Sequence, residues 1–223
     1  MKKKLLALVL TLAMVLSLAA CGGSSESYKI GICQLAPHPA LDAATQGFTE
    51  ALNKLLPGQV EIDSQNAAGD TPTCATIING FVSGGVDLIM ANATAPLQAA
   101  ASATADIPVL GTSITEYGVA LGIENFSGTV GGNVSGTSDL APLDQQAAMI
   151  QEWYPDAKNI GLLYCSNEAN SQYQVDTVQA CLEEMGYTCT QYAFADSNDI
   201  AAVCQTAADA SDVLYIPTDN SAA

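Results

Sequence analysis

The chain has 223 residues, 49% of them hydrophobic, and carries 23 Asp plus Glu against 6 Lys and no arginine, a formal net charge of −17. Such an excess of acid disfavours nucleic acid and anionic lipid head groups as partners, and without a guanidinium no carboxylate or phosphate can be held by a bidentate fork. The length and the apolar share read as a folded chain of about two domains.

Residues 1–21 read as an export signal: Lys2, Lys3 and Lys4 make a basic start, Leu5 to Leu16 is almost wholly apolar, and small residues precede Cys21. The apolar run is too short to span a bilayer comfortably. A cysteine at the cut point resembles the lipobox of bacterial lipoproteins, and this resemblance implies that Cys21 becomes a lipidated N-terminus. "GGSSES", residues 22–27, then reads as a flexible tether. Setting aside the three signal lysines leaves three basic residues against 23 acidic ones, a charge of −20.

From Tyr28 short apolar runs alternate with longer periodic ones. "YKIGICQ" reads as a strand, and Leu41, Ala44, Phe48, Ala51, Leu52 and Leu55 recur at helical spacing until Pro57-Gly58. "QVEIDSQ", a helix from about Thr71 to Ser83, "VDLIMAN", a helix from Ala95 to Thr104 and "IPVLGTS" continue the alternation. Between Ile114 and Ser138 there are six glycines and no helical period. The alternation then restarts with a helix from about Pro142 to Tyr154, the strand "NIGLLYC", a helix carrying Val175, Val178, Cys181, Leu182 and Met185, the strand "TCTQYAF", a helix near Ile200 to Ala208, and "DVLYIP". The expected fold is α/β, with two Rossmann-like parallel-sheet lobes over residues 28–113 and 139–223 joined by a crossover or hinge over 114–138. The second lobe, ending just after a strand, is expected to be truncated.

Six further cysteines, Cys33, Cys74, Cys165, Cys181, Cys189 and Cys204, could pair outside the cell, and no pairing is privileged. The simpler reading makes Cys165, Cys181 and Cys204 small buried apolar groups. No CxxC occurs, and the lone His38 has only Cys33 nearby, so neither a metal site nor a cofactor is read.

Ligands of parallel α/β sheets bind beyond the carboxyl ends of the strands, where loops meet helix N-termini. Polar residues collect at those places: Gln34, His38 and Asp42 after the first strand, Asn92 and Thr94 after the third, Thr112 and Ser113 after the fourth, Thr137, Ser138 and Asp139 at the junction, "SNEANS" after "NIGLLYC", and "PTDN" at the end. Any one of these clusters could simply cap a helix. Several of them on facing lobes point to a cleft.

Five stretches, "HPALDAATQGF" from His38, "ADIPVLGTSIT" from Ala105, "GGNVSGTSD" from Gly131, "NIGLLY" with "NEANS" behind it, and "YIPTDN", together resemble the solute-binding lipoproteins of ABC importers with the type I periplasmic-binding-protein fold, the branch linked to tryptophan and tyrosine uptake. The resemblance implies a hinged two-lobed clamp that closes on a small solute, an aromatic amino acid by preference, and delivers it to a membrane permease. The implied ligand-binding positions are Gln34, His38, Thr94, Thr137, Ser138, Asp139, Glu168, Asn170, Ser171, Asp219 and Asn220. Glu168 or Asp219 would accept from an ammonium group, while hydroxyls and backbone N–H groups would hold a carboxylate. Tyr117, Phe126 and Tyr173 are candidates for a side-chain pocket by their place near loops.

An enzyme is the first rival, but a triad would have to use His38 and no GxSxG elbow occurs. The pair Glu168 and Asp219 could do acid-base work, yet acids facing a cleft serve an amine ligand equally. The second rival is a ligand-sensing surface lipoprotein that signals to a partner.

Overall fold

The structure is a computed structural model and describes residues 27–222; the stretch read as an export signal, Cys21 and most of the expected tether lie outside the described residues. The first sheet runs in the order β2-β1-β3-β4-β5, with β1 at Tyr28–Gln34, β2 at Val60–Asn66, β3 at Leu88–Asn92, β4 at Val109–Ile114 and β5 at Val134–Ser138. The second runs β7-β6-β8, with β6 at Asn159–Cys165, β7 at Thr188–Phe194 and β8 at Val213–Tyr215. Every strand pairing within both sheets is parallel. Among the described residues no helix is long and apolar enough to cross a membrane.

Helices follow the strands as the periodicity requires. The first helix, α1 (Pro39–Leu55), starts at His38, whose Nδ1 accepts from the Ala40 N–H at 3.2 Å, with proline in its first turn. Its Phe48 and Leu52 cover Ile30, Ile32 and Met90 on one face of the sheet. The opposite face carries α2 (Thr71–Gly84), capped by Asp70 and closed by Gly85 at φ 64, and α3 (Thr94–Ala103). Cys74, Ile77, Ile78 and Phe81 are the buried stripe of α2, and burying each of the larger side chains stabilises by about 1.5–3 kcal/mol. Gly31 is what lets this helix lie so close to β1, since a Cβ added there would stand 2.6 Å from the Phe81 ring.

The glycine-rich segment departs from the sequence expectation. It contains a short helix, α4 (Tyr117–Leu121), capped by Glu116 and ended by Gly122 at φ 64, and β5 adds a fifth strand to the first sheet. Tyr117 holds this region together: its hydroxyl lies 3.1 Å from the Gly111 carbonyl and 3.2 Å from that of Thr137, donating across β4 and β5. Gly111 and Gly136 face each other in register beneath that hydroxyl, and a Cβ on Gly111 would stand 2.5 Å from it. Glycine is therefore needed for room as well as for conformation. The β4 register slips between Gly111 and Ile114, where Ser113 takes φ 55.

In the second sheet β6 is central and buried on both sides, which is why "NIGLLYC" reads as an unbroken apolar run. One face packs Ile160 and Leu162 against α5 (Leu143–Trp153) and α6 (Ala169–Glu184) through Ala147, Ile150, Val175 and Val178. The other packs Leu163 and Cys165 against Phe194 and α7 (Ile200–Ala210) through Ile200 and Val203.

Two buried tyrosines make the fold sensitive to alkali. Burial, with the Asp139 charge second, pushes the Tyr117 hydroxyl up to about 12, and burial alone takes Tyr215, which donates to Gln146 Oε1 at 2.7 Å, to about 12. Their unfolded value is 10.0. Above it the unfolded chain releases protons that the folded chain keeps, so the associated stability is complete below pH 10 and is lost as pH rises through the folded value. We expect urea unfolding to show stability falling progressively as pH rises across that window. A Tyr215→Phe protein should lose less, and identical slopes for the two proteins would remove Tyr215 from the account.

Candidate functional site

The carboxyl ends of the two sheets face each other across a cleft of about 640 Å³. One wall comes from the first sheet: Leu35 and Ala36 after β1, Ala68 to Pro72 between β2 and α2, and Thr94, Ala95 and Gln98 on the first turns of α3. The other comes from the second sheet: Cys165 and Asn167 to Asn170 after β6, Ala195 to Ser197 after β7, and Asn220 and Ser221 after β8. The lining holds three carboxylates, Asp70, Glu168 and Asp196, and among the described residues no Lys, Arg or His. Its field favours a cationic or zwitterionic occupant over an anion.

Two helices present bare N-termini to this space. The α3 cap position is Ala93 and that of α6 is Glu168, and neither helix has a side-chain cap. The N–H groups of Thr94 and Ala95 on one helix and of Ala169 and Asn170 on the other are free to meet negative charge. Ala93 also adopts φ 98 and ψ 167 with no exposed surface, a conformation that glycine takes and alanine resists. That strain sits where the helix start enters the cleft wall.

Glu168 is the hub of the second wall. Its Oε2 accepts from the Asn220 N–H at 3.0 Å, from Asn220 Nδ2 at 2.7 Å and from Asn170 Nδ2 at 3.3 Å, while Oε1 accepts only the Ser221 hydroxyl at 2.8 Å. A carboxylate offers two acceptor positions per oxygen, so Oε1 keeps one for a donor in the cleft. Asn170 is 4% exposed and donates to Glu168, Ser171 and the Thr218 carbonyl, leaving its Oδ1 buried without a partner. Gln174, buried one turn further along α6, fixes the β8 loop by donating to the Thr218 carbonyl at 3.0 Å and accepting the Thr218 N–H at 3.1 Å.

Four of the eleven positions read from sequence, Thr94, Glu168, Asn170 and Asn220, meet in this cleft. The other seven lie elsewhere. Gln34 is bound into the start of α1 through Asp42, Ala36 and Thr45, and His38 caps that helix. Ser138 donates to the Thr115 carbonyl at 2.8 Å, and Thr137 lines a separate groove with Phe48 and Met90. Asp139 follows β5 with its N–H on the Ile114 carbonyl, and desolvation raises its carboxyl against two hydrogen bonds that pull it down. Ser171 has no exposed surface. Asp219 is 2% exposed, and its carboxylate takes the N–H groups of Cys165 at 2.7 Å and of Ser221 and Ala222 at 2.9 Å. It is an internal brace between the loops after β6 and β8.

None of the aromatic candidates reaches the cleft. Tyr117 is buried under β4 and β5, Phe126 packs on the first core and Tyr173 on the second. Apolar lining comes instead from Leu35, Pro72 and several alanines. Asp70, Asp196 and Ser197 were missed, although they too follow strand ends and the same rule reaches them.

A family model described as ABC transporter substrate binding protein matches residues 29–223. The chain belongs to that family. Its members are extracytoplasmic solute-binding proteins rather than enzymes. The chain is 38% identical over 200 residues to a tyrosine-binding protein of Clostridioides difficile, covering 88% of itself and 58% of that relative. Among solved structures it is similar to the ABC domain from Streptococcus pneumoniae in complex with L-Trp, with TM-score 0.81 and 36% identity over 87% of this chain and 66% of that one. A ligand-free, open substrate-binding protein with adhesive properties from Clostridium difficile gives TM-score 0.59 at 40% identity, over 86% of this chain and 66% of that one. The leucine-binding protein of Thermotoga maritima, 17% identical with TM-score 0.62, shares the type I periplasmic-binding fold alone. The chain spans 58% of the length of the curated relative and 66% of the first solved one.

Proposed function

We propose that the protein is the extracytoplasmic solute-binding component of an ABC importer and captures an amino acid between its lobes. The observation that carries this reading is the pairing of chemistry across one cleft: a carboxylate with a free acceptor position at Glu168, and bare helix N-termini at Thr94 and Ala169. A zwitterion needs both kinds of group within one site, and binding it this way requires no arginine. Its ammonium lies on Glu168, and its carboxylate on the Thr94 hydroxyl and first-turn N–H groups. The likeness to a tyrosine-binding protein and to an L-Trp complex supports an aromatic side chain, and Leu35 and Pro72 offer it apolar contact. The passage from β5 to α5 is the hinge in this reading, since residues 114–138 are folded into the first lobe, and a membrane permease is the partner that receives the solute.

Thermal shift against the twenty amino acids, sugars and small anions tests the class, because a ligand at one hundred times its Kd stabilises by about 2.7 kcal/mol. Tryptophan or tyrosine should give the largest shift. A larger shift with a sugar or a dicarboxylate would replace the reading.

Lipidation at Cys21 completes the proposal, anchoring the protein at the outer face of the membrane. The Cys21→Ser preprotein is expected to remain uncleaved and to lack a diacylglycerol in mass spectrometry. A lipid mass on that variant would remove the anchor from Cys21.

A further inference from the structure

Two cysteines that the cleft does not use meet inside the first core. Cys33 lies near the end of β1 and Cys74 in the first turn of α2, both with no exposed surface and both in the first core cluster. The backbone brings this about. Alternation along β1 puts Gly31 and Cys33 on the same face, while Cys74 and Phe81 lie two turns apart on the buried stripe of α2. At one point the Phe81 ring rests where Gly31 has no side chain, and an added Cβ would be 2.6 Å from it. At the other, two short side chains share one buried cluster. A disulfide needs Cα atoms within about 7 Å and converging Cβ directions, and the Phe81 ring seated on Gly31 holds α2 tightly against β1 while both cysteines lie in the cluster that this contact belongs to. Cys165, by contrast, donates to the Ala195 carbonyl at 3.7 Å, and Cys189 lies beside Glu183.

We propose that Cys33 and Cys74 form a disulfide that clamps α2 to β1 directly behind the cleft wall. Leu35 and Ala36 follow one end of the clamp and Thr71 and Pro72 precede the other, and all four line the cleft. The clamp therefore fixes the spacing of two wall segments. Extracytoplasmic compartments permit such bonds. The oxidant is an external disulfide, an oxidised dithiol protein in the cell and oxidised glutathione in the assay. One cysteine thiolate attacks it, giving a mixed disulfide and releasing a first thiol; the second thiolate then attacks the bound cysteine sulfur, forming the Sγ–Sγ bond and releasing a second thiol. The two protons and two electrons lost by the pair end on those released thiols. Because both sulfurs are sealed in the core, exchange precedes the docking of α2 on β1.

The test is to refold the chain with oxidised glutathione, denature it, and alkylate with iodoacetamide with and without prior reduction. Without reductant, four of the six described cysteines should be alkylated, and a digest should contain the Cys33 and Cys74 peptides joined. Reductant should lower the melting temperature of the unsubstituted protein by roughly 5–15 °C and leave a Cys33→Ala/Cys74→Ala variant unmoved. Alkylation of all six without reductant, or joined peptides holding a different pair, overturns the proposal. Peptide mapping of the unsubstituted protein decides the matter even if the double variant does not fold.

Discussion

Replacing Asp219 by alanine is expected to lower the unfolding free energy by about 3–5 kcal/mol, the range for removing one partner of a buried, charged, hydrogen-bonded arrangement. The carboxylate is 2% exposed and accepts three backbone N–H groups, those of Cys165, Ser221 and Ala222. Cys165 ends the central strand of the second sheet, so its buried amide is left without its partner. Ser221 lines the cleft and gives its hydroxyl to Glu168, so releasing the β8 loop loosens that wall too. Asp219→Asn keeps one acceptor but turns an NH₂ towards donors, and should fall between alanine and the native residue. Urea unfolding measures the loss, and a melting temperature about 10 °C lower should accompany it. A change below about 1 kcal/mol for alanine would mean that Asp219 does not brace the loops and would return it to the set of candidate ligand contacts.

That revision shows which part of the site could be read from sequence and which could not. Strand-end position was legible: β1, β6 and β7 lie at the residues their apolar runs indicate, and the polar clusters follow them. The direction of each polar side chain was not. A residue type that caps a helix or braces a loop is the same type that would hold a ligand, so His38, Ser138 and Asp219 could not be told from Thr94 and Glu168 by identity. Only tertiary pairing separates them. The crossover segment was illegible for another reason. Its helix α4 has five residues, too few for a period to register, and β5, "VSGTS", lies almost wholly exposed with no apolar alternation. Main-chain pairing to β4 and the Tyr117 hydroxyl hold it in place, and neither leaves a pattern in the sequence. The placing of Cys33 and Cys74 in one core cluster was hidden likewise, because the spacing of six cysteines does not say which helix lands on which strand.

Glu168→Gln is expected to weaken tryptophan or tyrosine binding at least about tenfold while leaving the fold intact. The fold survives because glutamine can reproduce the network: its oxygen can face Asn220 and Asn170, and its NH₂ can face the Ser221 hydroxyl, which accepts as readily as it donates. Binding does not survive so well. The ligand ammonium then meets a neutral amide whose NH₂ already occupies the open side of the cleft, and the other carboxylates of the lining, Asp70 and Asp196, are engaged by Thr73 and Asn198. Removing one partner of a desolvated charge pair costs on the order of 2–5 kcal/mol, and tenfold corresponds to about 1.4 kcal/mol, below the lower end of that range. A structural disturbance could mimic the loss, so calorimetry should be run with the amino acid and with its analogue lacking the amine. The analogue binds more weakly at the outset, and its affinity should be nearly the same for both proteins, because it has no ammonium for Glu168 to hold. Equal losses for the two ligands would make Glu168 a brace like Asp219, and unchanged affinity for the amino acid would move the ammonium site off α6 altogether.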